Sequence, residues 1–162
     1  RLVVIAGLLL AGGAWGPRPV SAQSTADSAA ARAAARTAAA DWLGWMAERE
    51  FEDSWEDAGA RLRERQSRDA WMAGTKQLVD SLGTPTARTL TSATYRDSLR
   101  SDAGNGPFVV LTYRSSFAPG PYEEVLVLTP EDDDWMVVGY QVTALNPPPP
   151  PVQLSPRPTT PF

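Results

Sequence analysis

The segment SRDAWMAGTKQLVDSLGTPTARTLTSATYRDSL, residues 67–99, contains the change of pattern that decides the fold. In its first half the apolar residues recur every three or four positions, which is the spacing of one face of an α-helix. In its second half apolar and polar residues alternate, as they do in a half-buried β-strand. Gly83 and Pro85 separate the two halves, because glycine readily ends a helix and proline cannot continue one. We therefore expect a helix over residues 68–82 and a strand over residues 88–99.

Two more helices are predicted upstream of this segment. Residues 29–49 are dominated by alanine, the best helix former, and Asp27 or Ser28 stands where an N-cap is expected. Residues 51–62 carry apolar side chains at positions i, i+4, i+7 and i+11, which share one helical face. Ser67 is the expected N-cap of the third helix. The sequence thus predicts about three helices before the first strand.

Three further strands are predicted after the first one. They fall at residues 108–117, 122–129 and 135–144. In the first of them Val109, Leu111, Tyr113 and Phe117 share one face, and Phe108 and Val110 lie on the other. The connections between these strands are short, which indicates an antiparallel meander. The expected fold is an α+β domain in which about three N-terminal helices pack on one face of a four-stranded antiparallel meander sheet.

The beginning of the sequence has the pattern of a secretory signal peptide. Arg1 precedes an uncharged apolar run, Pro17 and Pro19 interrupt it, and small residues end at Ala22. The run is shorter than the roughly 20 residues that a membrane-spanning helix needs. We therefore expect residues 1–22 to be removed and the protein to be periplasmic or secreted, with no membrane span after cleavage.

The remaining chain divides into three parts. Residues 23–28 are a polar lead-in, residues 29–146 are the expected domain, and the proline-rich residues 147–162 are expected to be a disordered tail. The chain has no cysteine, which excludes disulfides and the lipid-modified cysteine of a bacterial lipoprotein. The domain must be held by its core alone, and a domain of about 120 residues can manage this.

Several landmarks appear in an order that is characteristic of one family. They are AAADWL at 38–43, FEDSW at 51–55, Trp71 on a helix, and WMVVGY at 135–140. With this series the chain resembles the bacterial domain-of-unknown-function 4019 family over about residues 36–143. The resemblance implies an exported domain with a cystatin-like or NTF2-like arrangement of helix against curved sheet. It implies no activity and carries over no catalytic residue.

The composition argues against most catalytic and nucleic-acid functions. The chain has no histidine and no cysteine, so it lacks the usual general base, the Ser-His-Asp and Cys-His arrangements and the commonest zinc ligands. It has 19 acidic residues against 15 basic ones, and Arg1 and Arg18 belong to the expected signal peptide. An acidic protein repels phosphate backbones. We therefore expect no enzyme activity, cofactor, metal site or nucleic-acid partner.

Carboxylates are the remaining groups for acid–base chemistry. Glu123 and Glu124 are neighbours in a predicted strand, so their side chains point to opposite faces and cannot form a catalytic pair. The acidic residues 131–134 lack the alternating ligands of a calcium-binding loop. We interpret them as a solvated hairpin tip that discourages sheet edges from associating.

Five residues are candidate binding residues: Trp45, Arg88, Tyr113, Arg114 and Tyr140. Trp45 lies off the apolar stripe of its helix, so its ring is expected to be exposed or to line a pocket. The two arginines lie in strands, where each can meet a buried acid or a ligand carboxylate, and a partly exposed structural ion pair is the default expectation. A buried acid beside either tyrosine, together with a roomy cavity, would favour a ligand site.

The predicted strands are apolar on both faces. In the last strand, alternation places Met136, Val138 and Tyr140 on one face and Trp135 and Val137 on the other. The helices can cover only one of these faces. The second face must curl into a pocket, be covered by a partner, or remain exposed and prone to association.

These observations lead to three functional hypotheses. The leading one is a non-enzymatic interaction module of the cell envelope that contacts another protein, or a second copy of itself, through the second sheet face. The alternative is a small-ligand-binding domain, less readily a catalytic one, with a cone-shaped cavity between helices and sheet, which rests on analogy with NTF2-like folds. The third is that the proline-rich tail docks to an envelope component.

Overall fold

The computed structural model describes residues 20–99 and 105–145. In this part of the chain four helices precede four strands, which form one antiparallel sheet in the order β1–β2–β3–β4. The elements are α1 (Val20–Glu48), α2 (Phe51–Glu56), α3 (Ala60–Arg65), α4 (Arg68–Leu82), β1 (Ala87–Ser98), β2 (Asn105–Phe117), β3 (Gly120–Glu131) and β4 (Asp134–Ala144). The predicted α+β fold with a meander sheet is confirmed, with four helices in place of about three.

Two of the predicted regions fall largely outside the described residues. They are the signal peptide at 1–22, apart from its last three residues, and the proline-rich tail at 147–162. Among the residues that are described, no helix is both long enough and apolar enough to cross a membrane.

The first helix begins earlier than the sequence pattern predicts. It starts at Val20, so Asp27 and Ser28 lie inside α1 and the prediction that one of them caps it was wrong. The Ser28 hydroxyl donates to the Thr25 carbonyl at 3.0 Å, a bond made within the helix. No glycine or proline occurs from Val20 until Gly44, so nothing in this segment interrupts helix propagation.

The second predicted helix is divided into α2 and α3. Between them the backbone leaves the helical path, Ala58 pairs with Val137 as a parallel bridge, and the Gly59 amide donates to the Val137 carbonyl at 2.8 Å. Ala58 and Leu62 are nevertheless both buried, so the apolar side chains keep their helical spacing across the break. The interruption therefore attaches the helical layer directly to the edge of β4.

The ends of α4 agree with the sequence pattern. The Ser67 hydroxyl accepts a hydrogen bond from the Ala70 amide at 3.3 Å, which is N-capping geometry. At the other end Gly83 has a φ of 74°, and its amide donates to the Val79 carbonyl. The ψ of Gly83 is −175°, and positive φ combined with this ψ is essentially restricted to glycine, so glycine is required there.

The hairpin turns are tighter than predicted. Only Ala118 and Pro119 separate β2 from β3, and only Asp132 and Asp133 separate β3 from β4. The two aspartates have φ values of 48° and 73°. Two consecutive positive φ values characterise the type I′ turn, whose twist matches that of the flanking strands, and aspartate tolerates this conformation better than most residues.

The apolar core lies between the helices and one face of the sheet. Trp42 is fully buried and packs against the rings of Trp71 and Tyr140, with centroid distances of 5.7 and 5.2 Å. The ring centroids of Trp55 and Trp71 are 6.4 Å apart, so all three tryptophans belong to the core. The other buried members are Ala35, Ala39, Leu43, Met46, Phe51, Ala58, Leu62, Val109, Leu111, Leu126, Leu128 and Val137.

A β-bulge in β4 changes which residues face the helices. Leu128 pairs with Val137 and Val127 with Gly139, so Val138 is an extra residue on β4. Tyr140 consequently lies on the helix-facing side together with Val137, whereas regular alternation would have placed it with Val138 on the opposite side. The predicted grouping of Tyr140 with Val138 was wrong for this reason.

The close approach at Gly59 gives a first testable prediction. A Cβ atom at this position would lie 2.6 Å from Val138 Cγ1 and 2.8 Å from Glu131 Oε1. We expect Gly59→Ala to lower the free energy of unfolding by about 1–3 kcal/mol, because the sheet edge must move to admit the methyl group. Urea unfolding followed by circular dichroism measures this.

Gly74→Ala is the matched control for this change. Gly74 lies in the exposed middle of α4, where the nearest atom to a new Cβ would be 3.9 Å away. Replacing a helical glycine with alanine is expected to stabilise by about 0.5–1 kcal/mol. If both variants shift stability in the same direction, the close approach at Gly59 does not exist in solution.

Candidate functional site

The most constrained polar group of the described residues is a carboxylate inside the core. Strand alternation places Glu124 on the same side of β3 as Leu126 and Leu128, and its side chain has no exposed surface. From β1, the Nε and Nη2 atoms of Arg88 donate to Oε1 and Oε2 of Glu124, each at 3.0 Å. This bidentate geometry is the strongest arrangement of an arginine–carboxylate pair.

A tyrosine from the neighbouring strand completes the cluster. The Tyr140 hydroxyl donates to Oε2 of Glu124 at 2.8 Å, and the Tyr140 ring packs edge-on against Trp42. Burial raises the pKa of Tyr140, and the nearby Glu124 charge raises it further, so this hydroxyl keeps its proton. We call Arg88, Glu124 and Tyr140 the buried triad.

Hydrogen bonds also connect the tryptophans of the core to the helices. The Trp42 Nε1 atom donates to the Ser54 carbonyl at 2.8 Å, and the Trp71 Nε1 atom donates to the Ser54 hydroxyl at 3.0 Å. Ser54 is fully buried in α2. Both indole N–H groups are therefore satisfied, as buried tryptophans require.

The buried triad leaves little room for a substrate. A recess lined in part by Arg88, Tyr140 and Phe117 has a volume of about 20 Å³, which is enough for roughly one water molecule. The two oxygens of Glu124 already accept three hydrogen bonds. The arrangement is thus suited to holding β1, β3 and β4 together, and it does not present a proton-transfer group to a ligand.

Ser115, beside Arg88 in the sheet, has a buried hydroxyl with no hydrogen-bond partner among the described residues.

Tyr113 lies next to the buried triad and also borders an open groove. It pairs with Glu124 across β2 and β3, and its pKa is raised chiefly by burial. The groove runs between α1 and the first two strands, and its lining includes Arg36, Arg88 and Tyr113. Three of the five predicted binding residues, Arg88, Tyr113 and Tyr140, are therefore brought together.

Trp45 lies in a separate groove, between α1 and the β3–β4 hairpin. It is partly buried and lines this groove with Trp135, Asp41, Asp57 and Asp134. Burial raises the pKa of Asp57, and the charges of Asp134 and Asp41 raise it further. Across residues 20–99 and 105–145, no group of three or more acidic side chains is arranged to hold a metal ion.

Arg114 is directed away from the other candidate residues. Because it follows Tyr113 in β2, it points to the opposite side of the sheet, where it is exposed and pairs in register with Glu123.

The residue missed by the sequence reasoning is Glu124. Its position two residues before Leu126, in a strand that alternates, was the signal that it faces the core.

The side of the sheet away from the core carries a patterned surface. We call it the outer face and define it by six residues of β2 and β3: Val110, Thr112, Arg114, Glu123, Val125 and Val127. The two charged residues are exposed and the other four are half-buried. Beyond this set, the Arg61 guanidinium lies 5.1 Å from the Phe108 ring centroid and covers one end of the sheet.

The buried triad predicts a strong dependence of stability on its charges. Arg88→Met is expected to destabilise by about 3–5 kcal/mol, because it leaves the Glu124 carboxylate buried without a counter-charge. Adding Glu124→Leu to Arg88→Met is expected to recover part of that loss. Denaturant unfolding of both variants measures the coupling.

An exposed ion pair serves as the control. Lys76 and Asp80 are one helical turn apart on α4 and largely in solvent. Removing this pair by Lys76→Met is expected to cost less than about 1 kcal/mol. A comparable cost for Lys76→Met and Arg88→Met would show that Glu124 is not buried in solution.

Comparison with known proteins locates the domain among families. A search of curated proteins finds no match. Residues 38–140 match the model of a family described as "Protein of unknown function (DUF4019)". The matched region runs from the second half of α1 into β4, and it contains the buried triad and the outer face. Since it spans more than half of the chain, the protein belongs to the DUF4019 family, as the landmarks at residues 36–143 predicted.

Proposed function

We propose that this protein is an exported, non-enzymatic interaction module of the cell envelope, which contacts a partner protein through its outer face. The observation that carries the proposal is the set of half-buried aliphatic side chains at Val110, Val125 and Val127. The signal-like beginning of the sequence supports export.

The pattern of the outer face supports binding of a partner. Antiparallel sheets that are covered on one side usually place polar residues on the other. Here Val110 and Val127 are direct register partners, and Thr112 and Val125 form the next pair. Burying apolar surface gains about 25 cal/mol per Å², so a protein seated on these residues gains free energy from removing them from water.

The chemical groups of the chain support binding over catalysis. The sequence has neither histidine nor cysteine. Glu124 is the one fully buried carboxylate in the described part of the chain, and Arg88 and Tyr140 occupy its oxygens. A general base has to reach the proton that it removes, and this carboxylate faces only its own partners.

Site-specific photo-crosslinking in producing cells tests the proposal. A benzophenone amino acid replaces Val127 on the outer face, and in a separate variant it replaces Gln77, which is exposed on α4. We expect a discrete crosslinked product from position 127 in the exported fraction, weakened by Val125→Lys, and none from position 77. Identical products from both positions, or none from position 127, would contradict the proposal.

A second candidate function is the binding of a small acidic ligand in the groove between α1 and the first two strands. It is favoured by the convergence of Arg36, Arg88 and Tyr113 on that groove. The recess beside the buried triad is too small for such a ligand, so binding would take place in the open groove.

Nuclear magnetic resonance titration with a small dicarboxylate tests this second function. If the groove binds acids, saturable shifts occur at the amides of Arg88 and Tyr113, and Arg36→Gln weakens them. Arg114→Gln, which changes a charge on the outer face, leaves them unchanged. Shifts that do not saturate, or that respond equally to both variants, reject the groove as a binding site.

A further inference from the structure

We propose that the partner on the outer face is a second copy of this chain, stacked face to face about a twofold axis that runs parallel to the strands between β2 and β3. This inference rests on the proposed function and specifies its partner. It follows from the register of the two central strands.

The register makes the outer face complementary to itself. A twofold axis lying between the two sheets and parallel to β2 and β3 exchanges these strands at the same height along the axis. Each β2 residue then faces the residue of the second copy that corresponds to its own β3 register partner. Val110 faces Val127 of the second copy, and Thr112 faces Val125 of the second copy. The apolar residues are therefore buried against each other.

The same operation pairs opposite charges. Arg114 and Glu123 are register partners on the outer face, so Arg114 of each copy faces Glu123 of the other. Both side chains are exposed in the single chain and are available for this contact. A twofold axis perpendicular to the strands through Val110 would instead bring Arg114 opposite Gly106, which offers no charge. Charge complementarity thus selects the axis parallel to the strands.

The flanking strands also fit this arrangement. The axis places β1 of one copy over β4 of the other. Thr94 and Gly139, which flank the Val110–Val127 pair, then face each other, so a side chain is opposed by a glycine. Thr89 and Thr143, which flank the Arg114–Glu123 pair, face each other in the same way. No like charges are brought together in these rows.

The size of the contact predicts reversible association. The contact consists of three rows of side chains, each crossing all four strands. From the spacing of residues along a strand and of strands across a sheet, it covers roughly 20 by 19 Å. Each copy would therefore bury on the order of 400 Å², about half of what each partner buries in a standard-size specific interface. The dimer is expected to be weak and to dissociate on dilution.

Sedimentation velocity of the exported protein, as the cell processes it, tests the inference. The wild-type protein is expected to shift from monomer to dimer between about 10 μM and 1 mM, since contacts of this size hold only at high concentration. Arg114→Glu and Glu123→Arg are each expected to abolish the shift, because like charges then face each other across the axis. Lys76→Glu, a charge reversal on the exposed side of α4, is the matched control and leaves dimerisation unchanged.

Mixing the two charge variants provides the decisive measurement. In a mixed dimer one copy carries two acids and the other carries two arginines, so every charged contact across the axis is favourable. We therefore expect the equimolar mixture to dimerise although neither variant does so alone. Within each variant chain, positions 114 and 123 still carry like charges in the mixture, so relief of that repulsion cannot account for this recovery.

Several results would overturn the inference. They are a wild-type protein that stays monomeric at 1 mM, charge variants that dimerise like wild type, and a mixture that stays monomeric. Crosslinking of position 127 to a different protein, in the absence of self-association, would retain the proposed function and reject the second copy as partner.

Discussion

The sheet is organised around one buried negative charge that has to be neutralised. An ionised carboxylate without exposed surface costs several kcal/mol unless it is paired and hydrogen-bonded. Glu124 meets this requirement through Arg88 on β1 and Tyr140 on β4, so residues from three strands must come together. A shift of one residue in the register of any of these strands would turn one member of the buried triad to the other side of the sheet. The buried charge thus constrains how β1, β3 and β4 align, and β2 is held between β1 and β3.

Local signals in the sequence were sufficient for the order of the elements. Gly83 and Pro85 marked the change from helix to sheet, and alternation located four strands to within a few residues. Two features depended on contacts between distant parts of the chain. The break at Gly59 exists because the backbone pairs with Val137, and the bulge at Val138 shifts the alternation of β4. Neither contact leaves a mark in the local pattern.

The candidate site was predictable to a similar extent. Arg88 was predicted to form a structural ion pair or to meet a buried acid or a ligand carboxylate, and Glu124 could be assigned to the core side from the alternation of β3. Tyr140 reaches Glu124 only because the bulge in β4 turns its side chain towards the core, so the sequence alone could not place Tyr140 there. Tyr113 and Arg114 are adjacent in one strand, so their side chains had to point to opposite faces of the sheet. The position of Trp45 depends on how the β3–β4 hairpin packs against α1, which is a tertiary contact.

The short bridge between Ala58 and Val137 restricts how this domain can vary in length. It connects the helical layer to the last strand at a point where a Cβ atom on Gly59 would meet three side chains of the β3–β4 hairpin. An insertion or deletion between α2 and α3 would bring a different residue to this contact, and only a residue without a side chain fits there. Side chains at exposed positions on either side of this bridge can be substituted freely, whereas the number of residues between α2 and α3 cannot change.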